Sequence, residues 1–169
     1  MATAVQDDLD KMKENSVLHV LMYLFQNHMQ NNCQIDESEV LIDQLESAGF
    51  VLPVINQAID WLANLADSNT IAAITTPQMN SFRFYTPYEI TLFGEQCINF
   101  ITHLEKENIL TPITRELVIH QAVELQAEGI DLNLIKWVTL MVLFNQPEHD
   151  EALSCMELLV LENPPGGIH

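Results

Sequence analysis

The sequence predicts an all-α protein of about seven helices, interrupted in its first half by one short β-hairpin. Two observations carry this reading. Apolar residues recur at helical spacing in segment after segment, and most of those segments open on a recognisable capping residue. Strand-like alternation is confined to Phe82-Arg83-Phe84-Tyr85. At 169 residues the chain is long enough to bury most of the surface its unfolded form exposes, so neither a disulfide nor a metal is needed to hold it together.

Residues 1–15 carry Asp7, Asp8, Asp10, Lys11, Lys13 and Glu14 with no apolar stretch behind a basic start; they read as a disordered extension and not as a signal peptide. From Ser16 to Gln30, the residues Val17, Leu18, Val20, Leu21, Met22, Leu24, Phe25 and Met29 leave a thin polar stripe of His19, Tyr23, Gln26, Asn27 and Gln30. That pattern predicts a helix buried on most sides. The next helix is framed by an Asp36/Glu39 capping box, an Ile35/Val40 staple and a Gly49-Phe50 stop, with Leu41, Leu45 and Ala48 facing the core. A third starts at Pro53 and runs through Ile55, Ala58, Ile59, Leu62 and Leu65 to a stop at Asp67-Ser68-Asn69.

Residues 67–81 are rich in Asn, Thr and Ser and contain Pro77, so they read as a loop across which Phe82 to Tyr85 pairs with Ile71 to Ile74. Thr86, Pro87 and Glu89 then make a capping box for a long helix with Ile90, Phe93, Cys97, Ile98, Ile101 and Leu104 on its apolar face. Gly94 marks a close-packing point or a bend in it. Thr111-Pro112 opens a helix through Leu117, Ile119, Ala122 and Leu125 that ends at Gly129, and Asp131 caps another that runs to Asn145. The last helix begins near Pro147, with Glu148, Asp150 and Glu151 at the positive end of its dipole.

This order divides the chain into an extension (1–15), a winged-helix-like subdomain (16–89), a helical subdomain (90–162) and a flexible tail (163–169). Three compact helices, a hairpin and a long helix follow the element order of a winged helix-turn-helix domain with a helical extension, a likeness of pattern and not of site. The helix from Pro53 to Ala66 takes the recognition position. It offers Asn56, Gln57, Asp60 and Asn64 but no cation, and the wing offers only Arg83.

Charge excludes more than any motif suggests. There are 24 acidic residues against six lysines and arginines, a formal net charge of −18. A field of that sign repels DNA and anionic lipid, and direct nucleic-acid binding is disfavoured further by the cation-free recognition helix. A basic protein is the expected partner. Lys136 is the lone cation of its helix, where Asn133, Lys136 and Thr139 form a polar seam. Its stem covers apolar surface while the ammonium reaches the rim, or it joins Arg83 in contacting an anionic group.

No catalytic, metal or cofactor site is expected. His19, His28, His103, His120, His149 and His169 form no ligand pair, and the acids beside His149 suit a helix N-terminus. Phosphate-loop, nucleophile-elbow and zinc-protease patterns are missing. Cys33, Cys97 and Cys155 lie far apart, as in a reducing compartment, which favours a cytoplasmic location. The longest apolar runs, Val17 to Phe25 and Trp137 to Phe144, are shorter than the ~20 residues that span a bilayer. Trp61 and Trp137 sit among aliphatic residues and read as core.

Four separated patterns occur in a fixed order: Val20-Leu21-Met22-Tyr23-Leu24-Phe25, Glu46-Ser47-Ala48-Gly49-Phe50, Arg83-Phe84-Tyr85-Thr86-Pro87-Tyr88-Glu89, and Lys136-Trp137-Val138 to Phe144-Asn145. On these the chain resembles the Smg family of proteobacterial proteins from Val17 to its C-terminus. The patterns mark caps and cores, and so specify fold and not chemistry. The resemblance implies a bacterial cytosolic protein, often encoded beside a DNA-processing protein, with no catalytic residue to carry over. The expected function is that of a non-catalytic acidic interaction protein near nucleic-acid-handling or translation machinery. The alternatives are a winged-helix DNA-associated regulatory factor and an acidic DNA mimic that occupies a partner's nucleic-acid groove.

Overall fold

A computed structural model describes residues 16–31, 38–74, 83–125, 130–146 and Ser154. The described residues contain six helices and no strand: α1 (Val17–Asn31), α2 (Ser38–Ser47), α3 (Leu52–Ile74), α4 (Pro87–Lys106), α5 (Pro112–Glu124) and α6 (Leu132–Phe144). The chain forms two compact units, Met1–Ala63 and Asn64–His169, and the division between them falls inside α3.

In the first unit, Val17, Val20, Leu21, Leu45, Ile55, Ala58 and Trp61 are buried. The α2 stop is a Schellman turn, as Gly49-Phe50 predicts. The Gly49 amide donates to the Glu46 carbonyl (3.0 Å) and the Phe50 amide to the Leu45 carbonyl (3.1 Å), with Gly49 at φ 101°. That turn positions Phe50 edge-on to Tyr23 of α1, ring centroids 5.7 Å apart. Among the α1 residues whose burial is described, Val17, Val20 and Leu21 are buried, Tyr23 and Gln26 of the polar stripe are exposed, and the rest are half-buried. Ala48, one residue past the end of α2 and expected to face the core, is exposed.

In the second unit α4, α5 and α6 pack together, α5 and α6 most extensively. Burial of Leu134, Ile135 and every residue from Trp137 to Leu143 makes α6 the central helix, which explains why that stretch is apolar on all sides. Asp131 caps it, its Oδ1 accepting from the Leu134 amide at 2.8 Å. On α5 the expected Leu117, Ile119, Ala122 and Leu125 are all buried. On α4 the buried face is Phe93, Cys97, Ile101 and Leu104. Gly94 interrupts that helix at φ 69°, ψ 166°, which resets the register and leaves Ile90, in the first turn, 51% exposed. The helix then closes on a second Schellman turn with Asn108 in the left-handed position, at φ 59°.

Two readings are corrected. The third helix does not stop at Asp67-Ser68-Asn69 but continues to Ile74. Those three residues weaken a helix by at most about 0.7 kcal/mol each relative to alanine, and no glycine or proline stands between Pro53 and Pro77 to end it. The hairpin therefore loses one strand, because Ile71 to Ile74 are helical, and 83–86 is irregular backbone. Its alternation is nonetheless real: Arg83 and Tyr85 are half-buried while Phe84 and Thr86 are exposed. No described residue pairs with this segment as a strand. The Asp36 cap, Pro77, Phe82, the Gly129 stop, the helix at Pro147, the extension and tail, Cys33 and Cys155, and His149 and His169 lie outside the described residues.

Candidate functional site

The densest polar arrangement among the described residues belongs to the second unit and is built where the extended segment 83–86 meets the start of α4, the end of α4 and the first turn of α5. Thr86 and Glu89 form the predicted capping box. Thr86 Oγ1 accepts from the Glu89 amide (3.2 Å), and Glu89 Oε2 accepts from the Thr86 amide (2.8 Å). The other Glu89 oxygen pairs with Arg83. Arg83 Nη1 also reaches Glu116 Oε2 (2.8 Å), and its guanidinium lies 5.0 Å from the centre of the Tyr85 ring.

Glu116 is shared. Its Oε1 accepts from Arg115 Nη2 (2.9 Å) and Nε (3.0 Å), while Arg115 Nη1 reaches back to Glu105 Oε1 (2.6 Å). Two guanidinium groups are thus balanced by three carboxylates, and the cluster keeps an acidic excess. Arg115 is the inner member, its side chain 5% exposed, whereas the Glu116 side chain is 46% exposed. Burial works against the charged form of Arg115, but hydrogen bonds to Glu105 and Glu116 more than offset it and hold its pKa above the usual value. The backbone hydrogen bond from Thr86 holds the Glu89 carboxyl below its usual range, and burial raises the Tyr85 hydroxyl. Such a cluster is a cross-link more than a binding pocket. Arg83 Nε has no acceptor among the described residues, but it is buried and offers nothing to a ligand arriving from solvent.

The residues singled out from the sequence are dispersed. Asn56, Gln57, Asp60 and Asn64 are all exposed on α3. Lys136 is half-buried on α6 and makes no ion pair with a described residue. Its polar seam ends in the core, since Thr139 is fully buried with its hydroxyl donating to the Ile135 carbonyl at 2.7 Å. Arg83 lies in the cluster, yet as a paired residue. Sequence reading missed Glu89 as an ion-pair partner, together with Glu105, Arg115 and Glu116. The available signal was Arg115 itself, a scarce cation and the one lysine or arginine of α5. No group of three histidine, cysteine or acidic side chains among the described residues is placed to hold a metal ion. None of the helices searched is long and apolar enough to cross a membrane.

A family model described as "Protein of unknown function (DUF494)" matches residues 17–169, nearly the whole chain. The chain belongs to the Smg family. It is 56% identical over 159 residues to the "Protein Smg homolog" of Coxiella burnetii (strain RSA 331 / Henzerling II), covering 94% of this chain and all of that protein. The Smg homologs of Thioalkalivibrio sulfidiphilus and Aeromonas salmonicida are 40% and 38% identical, over 94% and 89% of this chain and 100% and 98% of theirs. No solved structure matches it. Family membership supports the resemblance in caps and core motifs noted above, and those motifs are structural, as the Thr86 box, the Gly49 turn and the buried α6 illustrate.

Proposed function

We propose that this Smg-family protein is a non-catalytic interaction module whose acidic surface engages a basic protein, in the setting of nucleic-acid-handling or translation machinery. One observation carries the reading: the described surface is almost free of available cations. Asp43, Glu46, Asp60, Asp67, Glu95, Glu107, Glu116, Glu124 and Asp131 are exposed, against Lys106 alone among lysines and arginines. Arg83 and Arg115 are held by glutamates, and between Lys13 and Arg83 the sequence contains no lysine or arginine at all. Charge of one sign over a whole surface steers an oppositely charged partner and raises its rate of encounter.

The same accounting weighs against the winged-helix DNA-associated alternative. A helix in the recognition position needs neighbouring cations to hold phosphates, and α3 has none. We read α1, α2 and the first part of α3, which make up the described part of the first unit, as a scaffold for protein contact. The test is a salt-graded pull-down from bacterial cytosol with the full chain as bait. Basic proteins released as salt rises are expected, and a nucleic-acid groove on the partner would show as competition by duplex DNA. Recovery of only neutral or acidic proteins would overturn the reading.

A further inference from the structure

The polar contacts of the second unit divide at Gly94. On its N-terminal side, in residues 83–93, Arg83 pairs with Glu89 and lies against the Tyr85 ring, Thr86 and Glu89 close the capping box, and the Thr91 hydroxyl donates to the Pro87 carbonyl. On its C-terminal side Arg115 pairs with Glu105 and Glu116, and Thr111 and Thr114 close a box of their own. Among the described residues one ion pair crosses from the first group to the second, Arg83 Nη1 to Glu116 Oε2 at 2.8 Å. Residues 83–93 are thus cross-linked within themselves and joined by charge to the rest once.

Gly94 is not required for close packing, since a Cβ there meets no atom within 4 Å. What the position requires is its backbone, at φ 69° and ψ 166°, a region open to glycine and nearly closed to other residues, which interrupts the helical hydrogen bonds. The sequence is nonetheless also written for an unbroken helix. Ile90, Phe93, Cys97, Ile101 and Leu104 follow at spacings of three and four, which a straight helix places on one face. In the bent helix the last four are buried and Ile90 is left 51% exposed. Glycine adopts helical angles too, if less favourably than alanine, so the straight shape is open to the same chain.

We propose that residues 83–93 form a latched arm, hinged at Gly94 and held bent by the Arg83–Glu116 ion pair, which exchanges with a straight α4 in which Ile90 joins the apolar face. The latch is suited to opening. The Glu116 side chain is 46% exposed, and both partners keep another when the pair breaks, Arg83 with Glu89 and Glu116 with Arg115, so no charge is stranded. Phe93, beside the hinge and 2% exposed, stays anchored while the arm turns about it. Two arrangements that differ by one hinge residue and one ion pair make a two-state element, and opening it frees a Glu116 oxygen for another cation.

The test measures the distance between nitroxide labels replacing Phe84 on the arm and Glu124 on α5, both exposed, by pulsed electron paramagnetic resonance on the full chain. Ketone-bearing residues carry the labels, so the native cysteines stay in place. A main distance and a minor second one are expected. Glu116→Gln and Arg83→Gln should each enrich the second distance by about fivefold, and the double variant no further, because both remove the same link. Gly94→Ala, which penalises the bent backbone, should enrich that distance as well. Glu105→Gln also takes a partner from Arg115 but leaves the latch intact, and it should match the parent. One distance, the same in the parent and every variant, would make Gly94 a fixed kink and overturn the proposal. So would enrichment by Glu105→Gln equal to that by Glu116→Gln, which would mean general loosening. Should Gly94→Ala fail to fold, Glu116→Gln and Arg83→Gln decide by the same distances.

Discussion

In the second unit Arg83 and Arg115 are drawn inward and divided among Glu89, Glu105 and Glu116, whereas the first unit has no lysine or arginine beyond Lys13 and leaves Asp43, Glu46 and Asp60 in solvent. The difference separates two uses of charge. Where carboxylates have guanidinium partners they join segments 83–86, α4 and α5, so removing one should be felt by the fold. Where they have none they contribute field and solubility, and removing one should be felt by a partner. Both arginines of this protein thus belong to its structure, and the outward chemical signal of the described surface is the acid excess.

That contrast breaks most readily at Arg115. Arg115→Ala strands Glu105 beside a buried gap and leaves Glu116 with Arg83 alone, and is expected to destabilise the protein by about 3 kcal/mol, the low end for a broken buried pair because both glutamates retain some water. Asp43→Asn and Asp60→Asn in the first unit should stay within about 0.5 kcal/mol of the parent in the same urea titrations. Equal effects in the two units would dissolve the distinction.

The two left-handed glycines sharpen it. A Cβ at Gly94 or Gly49 meets no atom within 4 Å, so any cost of substitution lies in the backbone. Gly94, inside α4 at φ 69° and ψ 166°, occupies a region nearly closed to other residues, and Gly94→Ala should lose about 1–3 kcal/mol. Gly49→Ala, at a helix end in the first unit, should lose about 1 kcal/mol. Thr86→Ala removes a cap and should cost about 1 kcal/mol by the same denaturation measurement.

The smallest effect is the pH dependence of Glu89. Its folded pKa lies below the unfolded value, so its contribution is present above the ordinary glutamate range near ~4.3 and is lost as pH falls through the folded pKa. Protonating the many other acids relieves self-repulsion, so the parent alone would hide this. The stability difference between parent and Glu89→Gln isolates it, and that difference should shrink on going from pH 7 to below the folded pKa. A difference that is flat or grows toward acid would contradict the assignment.

How much of this was legible follows from the kind of signal. Caps written in adjacent residues, such as Thr86-Pro87-Tyr88-Glu89 and Gly49-Phe50, and apolar helices such as α6 were readable because local chemistry determines them. The stop at Asp67-Ser68-Asn69 was misread because weak helix formers lower stability without ending a helix, and only Pro77 is a true breaker. Alternation at Arg83 to Tyr85 was correctly sensed but assigned to a strand, since an extended segment alternates whether or not it pairs. The ion network escaped because Glu105 reaches Arg115 from α4 and Arg83 reaches Glu116 from the segment before α4, and packing distance is not written in spacing. Of the residues singled out, Arg83 could be seen as scarce but not as already paired.

The account's central claim is that this acidic protein meets a basic polypeptide and not nucleic acid. The most direct test is the fluorescence anisotropy of labelled random-sequence duplex DNA titrated with the full chain at low ionic strength, where electrostatic binding is strongest. No change is expected, given the formal charge of −18 and an α3 without lysine or arginine. Tight binding that weakens steeply as salt is added would contradict the account.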